Sequence, residues 1–413
     1  MKILIVNKFL YPNGGSETYI FKIGEQLKKM GHEVQYFGME HEGRCVGNAI
    51  DCYTSDMDFH TGKVEKLLYP FKIIYSKEAY TKLTKVLENF SPDVVHINNF
   101  NFQLTPSIIY AIRRFEKKNS CRIRIAYTAH DYQWVCPNHM MLIPATKTVC
   151  DKCLGGKYGN CSKNKCIHNS LIKSLLGAFE AKLYYTLRTY EKVDTIICPS
   201  EFLKRQLEKY RGLSNKLLVM HNFENTEYQN GKGTIKISDS TEQIKAEEAG
   251  YVLYFGRYSE EKGIKTLLSV CKQLPNIHFS FAGGGVYEEE INQIGNIHNC
   301  GFLKGQDMVD AIVRARFVVF TSEWYENCPF SVMEAISYGT PVIGANIGGV
   351  PELIENNENG ILYESGNAEE LKEKIEFLWN NGEVEQRLRE GCKNTKFDSL
   401  ERYCEKLIRL YEH

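Results

Sequence analysis

Short apolar runs alternate with longer stretches of helical periodicity along almost the whole chain, an alternation that parallel β-sheets wrapped by helices accommodate and coiled coils or solenoids do not. Lys2-Ile-Leu-Ile-Val6 leads into a glycine-containing loop, Tyr11 to Gly15, and then a periodic stretch from Ser16 to Met30. Glu33 to Phe37, Asp93 to Ile97, Arg122 to Thr128, Thr195 to Cys198 and Lys216 to Met220 continue the series as strands, with late helices expected at Leu171 to Glu191 and Ser200 to Tyr210. A second series starts at Tyr251 to Phe255 and runs through strands near 277–281, 296–299, 317–320, 341–343 and 360–362, after which the pattern is helical to the end. Between the two series, residues 221–249 carry Asn, Gly, Lys, Ser and Glu with few large apolar groups, the composition of a solvated linker.

The 413 residues exceed the roughly 150 of a typical domain, so two α/β domains are expected. The divisions are 1–220 with a cysteine-rich insert at 136–168, a linker at 221–249, a second domain at 250–398, and a closing segment at 399–413. The last stretch, Leu400 to Tyr411, has an apolar face that is expected to pack back on the first domain. Lys plus Arg and Asp plus Glu each total 51, so no global field recruits nucleic acid, and none is expected as a partner. No run of 18 apolar residues occurs and Ile3 to Val6 is too short for a secretory core, which places the chain, as an expectation, in the cytoplasm.

Two constellations carry chemistry. Gly256-Arg-Tyr-Ser-Glu-Glu-Lys262-Gly263 follows a strand and opens a helix, so that a guanidinium fork and an ammonium can together neutralise a diphosphate. The competing reading is a solvated basic turn. Glu326-Asn-Cys-Pro-Phe-Ser-Val-Met-Glu334 runs from a loop into a helix, where backbone N–H groups can meet an anion and a carboxylate on each side can accept from vicinal hydroxyls. That chemistry suits a nucleotide sugar; the plain alternative is two carboxylates placed by the helix dipole and by solvent. Two mimics are set aside. Asp56-Met57-Asp58 resembles a metal-binding carboxylate pair but no apolar strand leads into it, and Gly283-Gly284-Gly285 lacks the third glycine of a dinucleotide fingerprint, Glu288 standing in its place.

Gly14-Gly15 after the first strand, Arg257 with Lys262, and Glu326-x7-Glu334, followed by Pro341-Val-Ile and Gly348-Gly-Val-Pro-Glu352, together resemble the retaining GT-B glycosyltransferases of family 4 over about residues 1–412. The resemblance implies two Rossmann-like domains facing across a cleft. It implies hexosyl transfer, with retention, from a nucleotide-diphosphate sugar, UDP- or GDP-linked, to a saccharide or lipid-linked saccharide acceptor in cell-surface polysaccharide synthesis, with no catalytic metal required. Residue by residue, it has Arg257 and Lys262 hold the diphosphate, Glu334 the ribose and Glu326 the transferred sugar. Gly14 and Gly15 would admit close approach of the donor and acceptor, and the N–H groups of Phe330 and Ser331 would meet phosphate or sugar; Pro329 has no N–H to offer. His130, in Tyr127-Thr-Ala-His-Asp131, matches the family histidine beside the donor sugar; without the family context it reads as a histidine satisfied by a loop hydrogen bond. A GT-B sugar-nucleotide epimerase and a non-catalytic sugar-nucleotide-binding partner of an assembly complex are the alternatives.

Of 14 cysteines, five lie between Cys136 and Cys166. Cys136, Cys150, Cys153 and Cys166 have a spacing that could close a structural zinc site, with Cys161 and His139 as alternative ligands; reduced thiols in a loop are the competing reading. Lys163, Lys165, His168, Lys173, Lys182 and Arg188 flank the apolar stretch Leu171 to Phe179, which reads either as a peripheral contact with the inner face of a membrane or as an amphipathic core helix.

Overall fold

The computed structural model describes residues 1–55, 72–224 and 250–412. Asp56-Met57-Asp58 and most of the expected linker, residues 225–249, lie outside the described residues. The chain divides into two compact units, Met1–His221 with Leu400–His413, and Asn222–Ser399.

In the first unit, β1 (Lys2–Val6), β2 (Glu33–Phe37), β3 (Val94–Ile97) and β4 (Arg124–Thr128) are joined by helices, and a small antiparallel ribbon follows, β5 (Leu142–Ile143) with β6 (Thr148–Val149). After the helix Leu171–Thr186 come β7 (Thr195–Cys198) and β8 (Leu217–Val219). The main sheet has the order β2-β1-β3-β4-β7-β8, with every neighbouring pair parallel. Its inner strands are buried on both faces and read as continuous apolar runs, whereas the edge strand β2 alternates, with Glu33 exposed. The helix expected to run to Glu191 stops at Thr186, because Arg188 takes a left-handed conformation (φ +53°) and a 3₁₀ turn, Thr189–Lys192, follows.

The second unit holds β9 (Val252–Tyr258), β10 (Phe279–Gly285), β11 (Ile297–Gly301), β12 (Phe317–Phe320), β13 (Val342–Ala345) and β14 (Gly360–Tyr363) in the order β11-β10-β9-β12-β13-β14, again all parallel. Sequence reading ended the first two strands too early. Gly256, Arg257 and Tyr258 continue β9 and pair with Gly283, Gly284 and Gly285 of β10. At Gly283 the backbone has φ +155° and an added Cβ would stand 1.9 Å from the Gly256 carbonyl oxygen, so the triple glycine serves strand contact and not a dinucleotide turn. Asn222 to Glu224, expected as linker, are built into this unit: the Asn222 carboxamide donates to the Cys328 carbonyl at 2.8 Å, Phe223 meets Phe330 at 5.5 Å between ring centroids, and the Glu224 N–H donates to the Asp398 carbonyl.

The closing helix, Leu400–Glu412, buries Tyr403, Cys404, Leu407 and Tyr411 in the first unit, an i, i+1, i+4, i+8 stripe. It lies against the helix Gly15–Lys29 and adds polar links: the Tyr19 and Tyr403 hydroxyls are 2.9 Å apart, and the Tyr411 hydroxyl stands 2.6 Å from His96 Nδ1.

Candidate functional site

In open α/β sheets, ligands are held beyond the carboxyl ends of the strands, where the strand order reverses. In the second unit that point lies between β9 and β12, the central neighbours in the sheet. The segments leaving these two strands bring together residues 64 positions apart: Lys262 Nζ lies 2.5 Å from Glu326 Oε1. The same oxygen accepts from the Ser322 hydroxyl and from the Trp324 indole N–H, each at 2.7 Å, and the Lys262 ammonium sits 5.1 Å from the Trp324 ring. Three donors on one oxygen, with the carboxylate largely buried, fix the Lys262 head group in place.

Two glycines make this possible. Gly263 has φ +70°, and an added Cβ would stand 1.8 Å from the Thr321 carbonyl oxygen, so the two loops can touch only with hydrogen there. Gly348 has φ +60°, and an added Cβ would stand 2.2 Å from the carbonyl oxygen of Glu326, whose position is also held by the Gly349 N–H at 2.7 Å. Gly348→Ala is therefore expected to destabilise the second unit by about 3 kcal/mol, from a left-handed alanine plus steric overlap. Chemical unfolding monitored by tryptophan fluorescence checks this; a change below about 0.5 kcal/mol would contradict the geometry.

Arg257 lies at the end of β9 and is exposed, and among the described residues its guanidinium makes no hydrogen bond or ion pair. The two expected diphosphate cations thus differ: Lys262 is already paired inside the protein and Arg257 presents its charge to solvent. Phe330 and Ser331 begin the helix Phe330–Ser337 behind Pro329, with Glu334 partly buried on its second turn. Glu326 and Glu334 do not act as an equivalent pair, since Glu326 faces back onto Lys262.

Gly14, Gly15 and His130 belong to the first unit. Its own strand-order reversal lies between β1 and β3, and the loops there are tied by the Asn7 carboxamide oxygen accepting from the Asn99 N–H (3.0 Å) and by Lys8 Nζ donating to Asn101 Oδ1 (3.1 Å). Gly14 precedes the helix Gly15–Lys29 in extended backbone and both glycines are exposed, so no internal contact requires glycine at Gly14. His130 Nε2 is 2.9 Å from Asn98 Oδ1 and donates to it, because a carboxamide oxygen only accepts. The Tyr19 ring packs edge-on to it at 5.0 Å. Burial holds the His130 imidazole down to about 4, against the opposing pull of Asp131, and burial with the neighbouring His130 holds His96 down to about 3.

Both histidines are thus neutral at pH 7. Their folded values lie below the ordinary 6.5, so they contribute stability that is complete above about pH 6.5 and is lost as pH falls toward 4 and then 3. Each is expected to steepen the acid loss by up to about 1.4 kcal/mol per pH unit in that window. Urea unfolding at pH 7 and pH 5, with His130→Gln flattening the difference, checks this; equal stability at the two pH values would refute it.

In the cysteine-rich segment the Cys161 and Cys166 thiols hydrogen-bond each other, and Cys136, Cys153 and Cys166 are close enough to interact electrostatically. Among the described residues no group of three or more His, Cys, Asp or Glu side chains is arranged to ligate a metal. Cys153, Cys161 and Cys166 pack with Tyr158, Ala178 and Ala181, Cys136 hydrogen-bonds Asn138 Oδ1 at 2.8 Å, and Cys150 is only partly buried. Burial pushes the Cys136 and Cys153 thiols up to about 12. His139, the alternative ligand, is stacked on Phe102 and hydrogen-bonded by Asn101, with Asp131 Oδ2 at 3.7 Å.

Sequence reading missed Ser322 and Trp324. They stand at i−4 and i−2 to Glu326 in a loop that bends at Trp324, and it is that bend, not a strand or helix period, that the sequence did not mark. An open groove lined by Gly250, Tyr251, His278, Asn296 and His298 reaches the start of β9, the opposite end from Arg257.

Comparison with known proteins gives the following. The family model described as Glycosyltransferase Family 4 matches residues 13–228, and the model described as Glycosyl transferases group 1 matches residues 236–395. An uncharacterized glycosyltransferase of Methanocaldococcus jannaschii is 26% identical over 233 residues, covering 55% of this chain and 61% of that protein. The lipopolysaccharide core biosynthesis glycosyltransferase LpsE of Rhizobium meliloti is 24% identical over 221 residues, covering 52% of this chain and 62% of LpsE. The matched stretch spans less than two thirds of the length of each of these two relatives. Among solved structures, HepE of Anabaena in complex with UDP superposes with a TM-score of 0.64 at 16% identity, covering 100% of both chains. Two parallel, doubly wound sheets in one chain, with this likeness, constitute the GT-B fold.

Proposed function

Since the chain belongs to Glycosyltransferase Family 4, we propose that it moves a hexosyl group from a nucleoside-diphosphate sugar to a saccharide or lipid-linked saccharide, with retention at the anomeric carbon. The observations that carry this reading are the exposed Arg257 guanidinium at the end of β9 and the pinned Lys262–Glu326 pair on the segments leaving β9 and β12, where the strand order of the second unit reverses. Arg257 would supply the mobile, bidentate charge on the diphosphate and Lys262 a fixed one. The bond between the anomeric carbon and the diphosphate oxygen breaks, a bond to the acceptor oxygen forms on the same face, and the acceptor proton passes to the departing diphosphate. Both cations stabilise the charge that grows on that leaving group, without a catalytic metal.

Glu326 contributes through its grip on Lys262 and, at its edge, through the sugar hydroxyls; Glu334 would accept from the ribose, and the N–H groups of Phe330 and Ser331 would meet phosphate or sugar. His130, neutral and donating to Asn98, would hold the sugar as a polar wall and not as an acid. The acceptor is read as belonging to a cell-surface polysaccharide, a reading supported by the name of LpsE; a UDP-linked donor is supported by the UDP bound in HepE. The relatives' names favour transfer over the epimerase and the non-catalytic partner.

The test is incubation of the purified protein with UDP-, GDP-, ADP- and dTDP-sugars, with and without oligosaccharide and lipid-linked acceptors, followed by NMR of the product. Release of nucleoside diphosphate from one donor, accelerated by acceptor and giving a retained linkage, is expected. An inverted product would refute retention; interconversion of the donor sugar without transfer would replace this reading by the epimerase.

A further inference from the structure

The helix Leu171–Thr186 is packed inside out. Its buried side consists mostly of small residues, Ser174, Gly177, Ala178 and Ala181, with Tyr184 near the end. At Gly177 an added Cβ would stand 2.4 Å from Ile167 Cδ1, so this side has no room to grow. The large apolar side chains point the other way: Leu171 is 49% exposed, Ile172 79%, Leu175 52% and Phe179 58%. At 100° per residue these four positions form one stripe about 100° wide. Isolated exposed apolar residues are ordinary, whereas a continuous stripe on a helix whose small residues face the core marks a contact surface.

The exposed charged residues of this helix and of the turn before it have one sign. Lys173 and Lys182 are exposed on the helix, and Lys163 and Lys165 are exposed on the turn before it. The one acidic residue of the helix is Glu180, whose carboxyl burial pushes up to about 8, so it is mostly uncharged near neutrality. Among the described residues no helix is long and apolar enough to cross a membrane, so a bilayer contact here is one of lying on the surface.

We propose that the Leu171, Ile172, Leu175 and Phe179 stripe, with the lysines around it, docks on an anionic lipid bilayer. A second copy of the chain would bring like charges together at the same patch, whereas anionic head groups complement them. The apolar side chains would enter the acyl boundary while the flexible lysine stems reach back to the head groups. The surface stands apart from the sugar-transfer reading: it would bind lipid whatever the second unit binds.

The test is co-sedimentation of the full chain with vesicles of phosphatidylcholine alone and of phosphatidylcholine mixed with phosphatidylglycerol, at low and high salt. Binding is expected to the mixed vesicles, weakened by salt as the charges are screened. The double substitution Ile172→Gln, Phe179→Gln is expected to lower the partition coefficient at least about tenfold at an unchanged melting temperature, because both side chains are exposed. Lys173→Gln with Lys182→Gln is expected to remove the preference for the anionic lipid. No binding to either vesicle would overturn the proposal, as would binding that Ile172→Gln, Phe179→Gln leaves unchanged. So would self-association without lipid that the same substitution abolishes, since a second copy would then be the occupant.

Discussion

Arg257→Ala is expected to lower turnover at least a hundredfold, about 3 kcal/mol of transition-state stabilisation, while leaving conformational stability within about 0.5 kcal/mol of the parent. The expectation follows from the position of the side chain. The guanidinium is exposed at the end of β9 and, among the described residues, holds no internal hydrogen bond or ion pair, so its removal breaks nothing inside the protein. The hydrogen bonds its carbonyl accepts, from the Tyr254 hydroxyl at 2.9 Å and from the Ser259 N–H at 3.0 Å, belong to the backbone and survive the substitution. Arg257→Lys keeps a charge but not the planar fork, and an intermediate loss of roughly tenfold is expected. Steady-state kinetics beside thermal unfolding separate the two effects. Near-normal turnover in Arg257→Ala would remove the residue from the diphosphate site.

Glu326→Ala is expected to be the more damaging change, because function and folding meet there. It strips one acceptor from the Lys262 ammonium, the Ser322 hydroxyl and the Trp324 indole together. Losing a charge-assisted bond and orphaning partly buried donors costs about 2 to 4 kcal/mol, and Lys262, no longer held, loses its fixed aim at the leaving group. A fall in turnover of more than a hundredfold with a lower melting temperature is therefore expected. Glu326→Gln tests the division between the two effects. Its carboxamide oxygen can still accept from Ser322 and Trp324, so stability should largely return, while the ion pair with Lys262 and most of the activity should not. Equal recovery of stability and activity in Glu326→Gln would mean that shape alone, and not charge, matters at this position.

The sequence carried the sheets well and their ends poorly. Inner-strand stretches such as residues 3–6 of β1 and Phe317–Phe320 are apolar throughout, because they are covered on both faces, and their limits were readable. Where the strands near the site run on in glycine, as at Gly256 and Gly283 to Gly285, no side-chain pattern marks the continuation, and it was read as loop. At the site, residue types were legible and roles were not. Arg257, Lys262 and Glu326 stood out by spacing, yet spacing cannot tell that Lys262 closes on Glu326 across 64 residues while Arg257 stays open. Gly348 was visible as part of a glycine pair, but its purpose depends on the carbonyl of Glu326 passing within 2.2 Å of where a Cβ would be. The cysteine spacing was legible, but not that Cys153, Cys161 and Cys166 are buried among Tyr158, Ala178 and Ala181.

On the proposed function, the carboxyl ends of β9 and β12 hold a nucleoside diphosphate and Arg257 is the exposed charge that meets it. Isothermal titration of UDP, GDP, ADP and dTDP into the parent protein and into Arg257→Ala tests it directly. One diphosphate should bind the parent, and its affinity should fall at least about tenfold in Arg257→Ala, with the free nucleoside binding weakly and equally to both. Equal affinity of parent and variant for that diphosphate, or no binding of any diphosphate, would contradict the claim.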